Sequence, residues 1–377
     1  MPQAVEILVP SAVLGNQGKG DILSVLLNAL PGTISQGLIW AILAIGVYLS
    51  FRVLDIPDMT VDGSFATGGA TMVMLMRGGF SPWPALALAF LVGYVAGCVT
   101  GFLHTRCGIP AILAGILSQL ALYSVNLRIM GGKANQPLGV DKYDLIVSQR
   151  YVRDLSLQNP LLLTALFVVV VIVILYYFFG TERGSAIRAT GSNPIMARAQ
   201  GIDTKRNIIL GLALSNGLVA VSGALLAQYQ GASDINMGRG AIVIGLAALI
   251  IGEVLFGRIF VNFALKMLAV AIGSIMYYLI LQIVLLFGLN TNDLKLISAA
   301  IVAIFLAVPY WRSQMQLFRP QPASAGAETS SGAEPASGAE TAKGTESSSA
   351  GETSSVANVS SEMKTSSTTT EKGERDA

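Results

Sequence analysis

Charged residues are scarce in this chain of 377 residues. Asp, Glu, Lys and Arg together make up only 12% of it, whereas 53% of its residues are hydrophobic and the mean hydropathy is +0.63. A soluble domain carries about twice that fraction of charge. The composition therefore excludes an ordinary soluble domain and predicts an integral membrane protein.

Side chains suited to metal binding or catalysis are equally rare. The two cysteines, Cys98 and Cys107, lie in and just after one apolar run and indicate no disulfide framework, and His104 alone cannot form a metal site. The glycines at residues 15–20 lack the spacing of a phosphate-binding loop. Since no set of acid, base and nucleophile stands out either, we expect no catalytic residue, no metal and no cofactor, and a membrane-embedded enzyme is disfavoured.

The formal net charge of +2 conceals an uneven distribution. Residues 320–377 carry a charge of −5, so the preceding 319 residues carry +7. A basic membrane-embedded body is attracted to anionic headgroups, which makes membrane lipid an expected partner and requires no nucleic acid. Residues 320–377 consist mostly of Ser, Thr, Ala, Gly and Glu, and they have too little apolar area to offset chain entropy. We therefore predict a disordered C-terminal tail.

Apolar runs separated by polar connections make up the rest of the chain. Because a helix rises about 1.5 Å per residue and a membrane core is about 30 Å thick, runs near 20 residues predict membrane crossings. We predict an all-α polytopic membrane protein with about 8–10 transmembrane helices. It comprises a leader with an interfacial helix over residues 1–30, a transmembrane domain over residues 31–319 and the tail. The crossings are predicted at residues 33–51, 63–76, 85–103, 108–126, 161–179, 208–229, 237–257, 261–287 and 296–311.

Two of these runs are interrupted by glycine. Residues 63–76 are short for a full crossing and include Gly68 and Gly69, and residues 237–257 are rich in glycine, with Gly238, Gly240, Gly245 and Gly252 among them. We expect the first run to lie in a protein-lined groove away from lipid. The two runs occupy comparable places in the two halves of the chain, which is typical of a transporter built by internal duplication.

Glycine also recurs every four residues in one long run, at Gly93, Gly97 and Gly101. A ridge of small residues allows close contact between helix backbones in a membrane. We expect this ridge to pack against another helix of the same chain.

Residues 180–206 form a mostly polar connection with its own internal order. Asn193 and Pro194 predict a helix start, because Asn caps well and Pro suits the first helical position. Residues 195–200 then predict a short helix that Gly201 ends. A short basic helix held at the membrane surface is typical of a docking element for a soluble partner. The alternative is an ordinary positively charged connector.

The same connection resembles a known family. Residues 181–184 (TERG), 186–191 (AIRATG), Asn193, Ala197 and 201–202 (GI) resemble the cytoplasmic coupling loop of permeases of ATP-binding-cassette importers. The similarity is to the branch that includes branched-chain amino acid and monosaccharide permeases. Residues 56–65 (IPDMTVDGSF) make the chain most similar to permeases of tryptophan/tyrosine-type uptake systems. The resemblance covers residues 34–311.

This resemblance implies a permease subunit that forms the path for a small solute, such as an amino acid, in the plasma (inner) membrane. It implies a separate cytoplasmic ATPase dimer, an extracytoplasmic substrate-binding protein and a second permease copy, identical or not. The alternative is an ATP-independent transporter or channel in which the connection has no docking role. The residues expected to couple to the ATPase are Gly184, Arg188, Gly191, Asn193, Pro194, Ala197 and Gly201.

Polar residues within the apolar runs are the candidates for the translocation path. Such residues are costly in lipid, so they should face the bundle interior or a water-filled path. Interhelical hydrogen bonding is the alternative role, and for the acidic residues at positions 55, 58 and 62 the alternative is organisation of a helix start. An aromatic solute would need a wall such as Tyr123, Tyr229 or Phe65. The residues predicted to line the path are Asp62, Gln119, Asn216, Gln228 and Glu253.

The distribution of positive charge leaves the orientation open. Ten Lys and Arg residues fall on the side of residues 180–206 and nine on the other, although cytoplasmic loops normally carry a clear excess. The resemblance implies that residues 180–206 are cytoplasmic. We expect residues 128–153, which hold much of the opposite charge, to contact a binding protein.

Overall fold

A computed structural model of the chain describes residues 19–139, 142–143, 145–148, 159–257, 259–260, 262–286, 296, 298–305 and 307. The predictions for residues 1–18 and for the tail at 320–377 fall outside these residues. The chain separates into one unit over residues 1–320 and another over residues 321–377. All of the described residues belong to the first unit.

Helices make up nearly all of the described structure. The second of them follows a π-helical turn, Leu49–Val53, and two very short strands interrupt the series. Residues 298–305 are also helical, within the last predicted crossing. The helices are α1 (Lys19–Tyr48), α2 (Val61–Arg77), α3 (Pro82–Thr105), α4 (Ala111–Ile129), α5 (Pro160–Gly180), α6 (Glu182–Ser192), α7 (Pro194–Ala199), α8 (Thr204–Gln230), α9 (Ala241–Phe256) and α10 (Phe263–Leu286), and the strands are β1 (Asn135–Pro137) and β2 (Ala232–Asp234).

Six helical segments in the described part of the chain are long and apolar enough to cross a membrane. They are Asn28–Val53, Pro82–Thr105, Ala111–Ile129, Pro160–Gly180, Thr204–Gln230 and Phe263–Leu285. Two shorter helices, α2 and α9, correspond to the two glycine-interrupted runs. The prediction of a polytopic α-helical membrane protein is confirmed, with two of the predicted crossings formed by shorter helices.

The first helix differs from its prediction. The interfacial helix expected before residue 31 and the first crossing form one continuous helix, α1, which passes through Pro31. Proline removes one backbone hydrogen bond, a loss that neighbouring groups in membrane helices often compensate. At its other end α1 widens into the π-helical turn, where the Leu54 amide donates to the Leu49 carbonyl over 3.0 Å. Asp55 then adopts a left-handed backbone with φ of 56°, which turns the chain back toward the bundle.

Helices α1 and α8 form the centre of the bundle. Most side chains of α8 from Gly211 to Tyr229 are buried, and α8 packs against α1, α2 and α3. At one crossing a Cβ on Gly46 of α1 would lie 2.9 Å from the Ser215 carbonyl oxygen. The predicted glycine ridge on α3 packs on α8 in the same chain, with Gly97 against Ala213 and Gly101 against Ile209, as expected.

Helices α2 and α9 are shorter elements, of 17 and 16 residues, whose first turns meet. Thirteen of the seventeen residues of α2 are buried, which confirms the prediction that this run avoids lipid. Helix α9 begins at Ala241 rather than near residue 237, because Met237–Gly240 forms turns and Gly240 has a φ of +86°. A Cβ on Gly238 would overlap the carbonyl oxygen of Asp62, so the two chain segments are in contact there.

A pair of three-residue strands was not predicted. Strand β1 pairs antiparallel with β2, with Gln136 opposite Ser233. The Gln136 amide donates to the Met130 carbonyl over 2.7 Å, and its side-chain oxygen accepts from Arg77. The pair therefore joins the segment after α4 to the segment after α8 at the end of the bundle where α2 ends.

Candidate functional site

Two adjoining helices occupy the connection between α5 and α8. The sequence predicted the second of them, α7, but not α6, which occupies residues 182–192. Thr181 caps α6, since its hydroxyl accepts from the Gly184 amide over 3.4 Å. A Cβ at Gly184 would overlap the backbone of Phe178 and Phe179, so the tight fold of α6 back onto the end of α5 requires glycine.

Both ends of helix α7 are formed by the residues that the sequence predicted. The Asn193 side chain accepts hydrogen bonds from the amides of Ile195 and Met196, at 3.1 and 3.0 Å. Pro194 is the first helical residue, and Gly201 has a φ of +77° just beyond the helix. Ala197 faces inward and is buried. The boundaries of this short helix are therefore confirmed.

The outer face of α7 is apolar and unpaired within the described chain. The exposed fraction is 78% for Ile195 and 63% for Met196. Arg183 in α6 and Arg198 in α7 are exposed as well, so the two helices present apolar area together with positive charge. These properties suit contact with another protein.

The pair of helices is tied firmly to the membrane bundle. A Cβ at Gly191 would overlap the Val53 carbonyl oxygen and lie 2.8 Å from Cα of Leu54, so α6 rests directly on the π-helical end of α1. The Arg188 guanidinium lies 5.6 Å from the centre of the Phe263 ring at the start of α10. A displacement of α6 and α7 would therefore act on α1 and α10 as well as on the two helices joined by the connection.

A network of buried polar groups lies deeper, between α2, α3, α4 and α8. Asn216 is fully buried; its amide nitrogen donates to Asp58 over 2.6 Å, and its oxygen accepts from Ser64 over 2.6 Å. Asp58 also accepts from the Thr60 amide at 2.9 Å. The Thr60 hydroxyl continues the network to Thr100 and Ser118. The polar atoms of Asn216 thus form hydrogen bonds with neighbouring segments of the same chain. This is the role that the sequence offered as the alternative to lining the path.

Asp62 joins the two shorter helices, α2 and α9. It lies in the first turn of α2, but its carboxylate accepts hydrogen bonds from the amides of Gly240 and Ile242, each at 3.0 Å. It therefore caps α9, at the positive end of that helix dipole. The alternative role suggested by the sequence placed these carboxylates at the start of the next helix, whereas Asp62 caps a helix that lies 178 residues further along the chain.

A cavity of about 260 Å³ opens beside this junction. It lies between α2, α4 and the turn before α9. Two of the predicted path residues, Asp62 and Gln119, are brought together here. Its lining residues are Asp62, Gly63, Ala66, Gln119, Leu120, Tyr123, Asn126, Ile235 and Arg239.

The remaining predicted path residues lie apart from this cavity. The Gln228 oxygen accepts from the Ile146 amide over 2.9 Å, and its buried nitrogen has no partner among the described residues. Glu253, near the end of α9, pairs at 2.8 Å with Arg52 of the π-helical turn. Among the three aromatic residues considered as a wall, Phe65 and Tyr229 are buried in the core, whereas Tyr123 is exposed and lines the cavity.

Three polar or aromatic residues of the cavity, Tyr123, Asn126 and Arg239, were not among those predicted to line the path. Asn126 is a polar residue within a predicted crossing, and this feature of the sequence could have identified it as a path candidate. Tyr123, three residues before it, was considered only as an aromatic wall. Arg239 gave no such signal, because it lies in a glycine-rich turn whose position beside Asp62 depends on the tertiary fold.

Comparison with known proteins identifies the family. Residues 30–308 match the family described as branched-chain amino acid transport system / permease component. A tyrosine transport system permease protein of Clostridioides difficile (strain R20291) is 38% identical over 281 residues, which cover 74% of this chain and 91% of that protein. An uncharacterized protein, RP368, of Rickettsia prowazekii (strain Madrid E) is 36% identical over 74% of this chain and 98% of its own length.

A more distant relative is named for a different solute. The fructose import permease protein FruF of Bifidobacterium longum (strain NCC 2705) is 23% identical over 75% of this chain and 80% of its own length. No solved structure matches the chain. With its membrane-spanning helices, this multi-pass protein of the plasma membrane belongs to the family of branched-chain amino acid transport system permease components, and it is a permease subunit of an ATP-binding-cassette importer.

Proposed function

We propose that a separate cytoplasmic ATPase dimer docks on α6 and α7 and drives this permease by alternating access. The observation that carries the proposal is the short, capped helix α7, whose apolar face formed by Ile195 and Met196 projects from the bundle. Rigid ends matter, because a helix that frayed on contact would absorb the motion of the motor. Asn193 and Gly201 define the two ends.

The proposal assigns a role to the predicted coupling residues of α6. Gly184 and Gly191 allow α6 to lie against the backbones of α5 and α1, and Arg188 attaches it to α10. Closure of the ATPase would move α7, and α6 would pass the movement to the end of α1. A connection with no docking role, as in an ATP-independent transporter, needs neither the caps nor this direct contact with α1.

We further propose that the importer contains two permease subunits and an extracytoplasmic binding protein, since the family description names its members as one component of a transport system. An aromatic amino acid is the solute that we propose. A relative at 38% identity is named for tyrosine transport, and Tyr123 lies at an accessible cavity where an aromatic ring could stack.

Co-purification tests the docking proposal. In mild detergent the cognate ATPase subunit should remain bound to the wild-type permease and dissociate from a variant carrying both Ile195→Asp and Met196→Asp. Cys107→Asp is the control for an added aspartate, because it places one such negative charge at an exposed site in the connection between α3 and α4. Retention of the ATPase by the double variant, or equal loss from the control, would contradict docking on α7.

A further inference from the structure

The cavity between α2, α4 and the turn before α9 has the chemistry of a ligand site. It lies where the first turn of α2 meets the start of α9, at Asp62 and Gly240. We infer that it binds the α-amino and α-carboxylate groups of the transported amino acid. This inference rests on the proposed function, whose solute is an amino acid.

Arg239 provides the site for the carboxylate. Its side chain is exposed at the cavity and forms no ion pair with any described residue. The nearby carboxylate of Asp62 instead accepts backbone hydrogen bonds from Gly240 and Ile242. A free guanidinium binds a carboxylate through two parallel hydrogen bonds, which gives both strength and orientation.

Asn126 provides an independent indication of a ligand. Its side chain is 1% exposed, and its Oδ1 atom has no hydrogen-bond partner among the described residues. A buried acceptor without a partner is costly, so its presence in a cavity wall calls for a donor. An ammonium group has three donors, and the carboxylate of Asp62 adds favourable charge for a cation in the same cavity.

The combination of groups defines the class of solute. One cavity holds a cation in Arg239, an anion in Asp62 and, in Asn126, an acceptor that no described residue satisfies. A zwitterion matches this set better than a sugar, which carries no charge. The volume of about 260 Å³ is just below the roughly 300–1,000 Å³ of typical small-molecule pockets, which suits a single amino acid whose side chain extends toward Tyr123.

Equilibrium binding to the assembled importer tests the inference. Radiolabelled L-tyrosine is titrated against the permease–ATPase complex in lipid nanodiscs, without the binding protein. Arg239→Gln should weaken binding at least about ten-fold, because a charge-assisted interaction is lost. Arg128→Gln is the control: it removes an exposed arginine from the last turn of α4, outside the cavity. It should leave affinity within about two-fold.

Competition with an analogue separates recognition from a structural effect. Tyramine lacks the carboxylate, so it should compete at least about ten-fold less well than L-tyrosine for the wild-type complex. In Arg239→Gln that difference should largely disappear, whereas misfolding would weaken both competitors alike. Asn126→Leu should weaken both as well, since it removes the acceptor for the ammonium group that they share.

The outcomes distinguish failure of the proposed binding site from failure of the proposed function. ATP-dependent uptake by the wild type, together with unchanged affinity and selectivity in Arg239→Gln, would overturn the site and leave the proposed function standing. Absence of saturable binding to a complex that transports L-tyrosine would also overturn it. Failure of the wild-type permease to retain an ATPase would instead contradict the proposed function, because docking is measured separately from solute binding.

Discussion

Replacement of Gly191 by alanine probes the contact through which α6 reaches the membrane bundle. The added Cβ would overlap the Val53 carbonyl oxygen and lie 2.8 Å from Cα of Leu54, where an ordinary contact is at least 3.4 Å. Restoring that second contact alone requires α6 to move by about 0.6 Å. Because the neighbours are backbone atoms of the π-helical turn, they cannot change rotamer to make room.

Overpacking of this kind costs about 1–3 kcal/mol. Since about 1.4 kcal/mol corresponds to a factor of ten in an equilibrium, the docked arrangement of α6 should be disfavoured about ten-fold. We therefore expect Gly191→Ala to reduce ATP-dependent uptake by about that factor. The ATPase should remain bound and continue to hydrolyse ATP, because the outer face of α7 is unchanged.

The assay is uptake of L-tyrosine into proteoliposomes that contain the complete importer, with ATP hydrolysis measured in the same preparation. Gly180→Ala is a matched control, since a Cβ there meets no atom within 4 Å and the same connection is involved. It should transport at the wild-type rate. Normal uptake by Gly191→Ala, or an equal loss in Gly180→Ala, would refute the role assigned to this contact.

Two further substitutions test hydrogen bonds in the structure. Asn193→Ala removes the cap of α7 at a cost of about 0.5–2 kcal/mol and should lower uptake. Asn193→Asp keeps a hydrogen-bond acceptor and should retain most of the uptake. Equal uptake by the two variants would argue against the cap. Asn216→Leu leaves Asp58 and Ser64 without their partner, a loss of about 1–3 kcal/mol or more, and should lower the thermal midpoint in detergent. Ser215→Ala loses one bond to the Gly46 carbonyl, about 0.5–1.5 kcal/mol, so a larger effect from this control would contradict the account of the buried network.

The features predicted most accurately from the sequence were the local ones. The limits of α7 follow from Asn193, Pro194 and Gly201, because a cap, a first-turn proline and a C-terminal glycine act on their immediate neighbours. Long apolar runs likewise identified the full-length crossings. The burial of α2 was predicted from its length alone.

The features that were missed depend on distant partners. Asp62 caps a helix that begins 178 residues later, and Glu253 pairs with Arg52 across 201 residues. No local pattern specifies either contact. The paired strands are only three residues long, too short for the alternation that marks a strand. Asn126 could be recognised as an intramembrane polar residue, but only the fold shows that it shares a cavity with Arg239.

Site-specific photo-crosslinking from α7 tests the central claim most directly. A photoreactive amino acid at position 196 should form an adduct with the cognate ATPase subunit in native membranes. The same amino acid at position 120, on the exposed side of α4, should not. The contrary result, with no adduct from position 196 or with that position labelled from the extracytoplasmic side, would show that the motor does not dock on this helix.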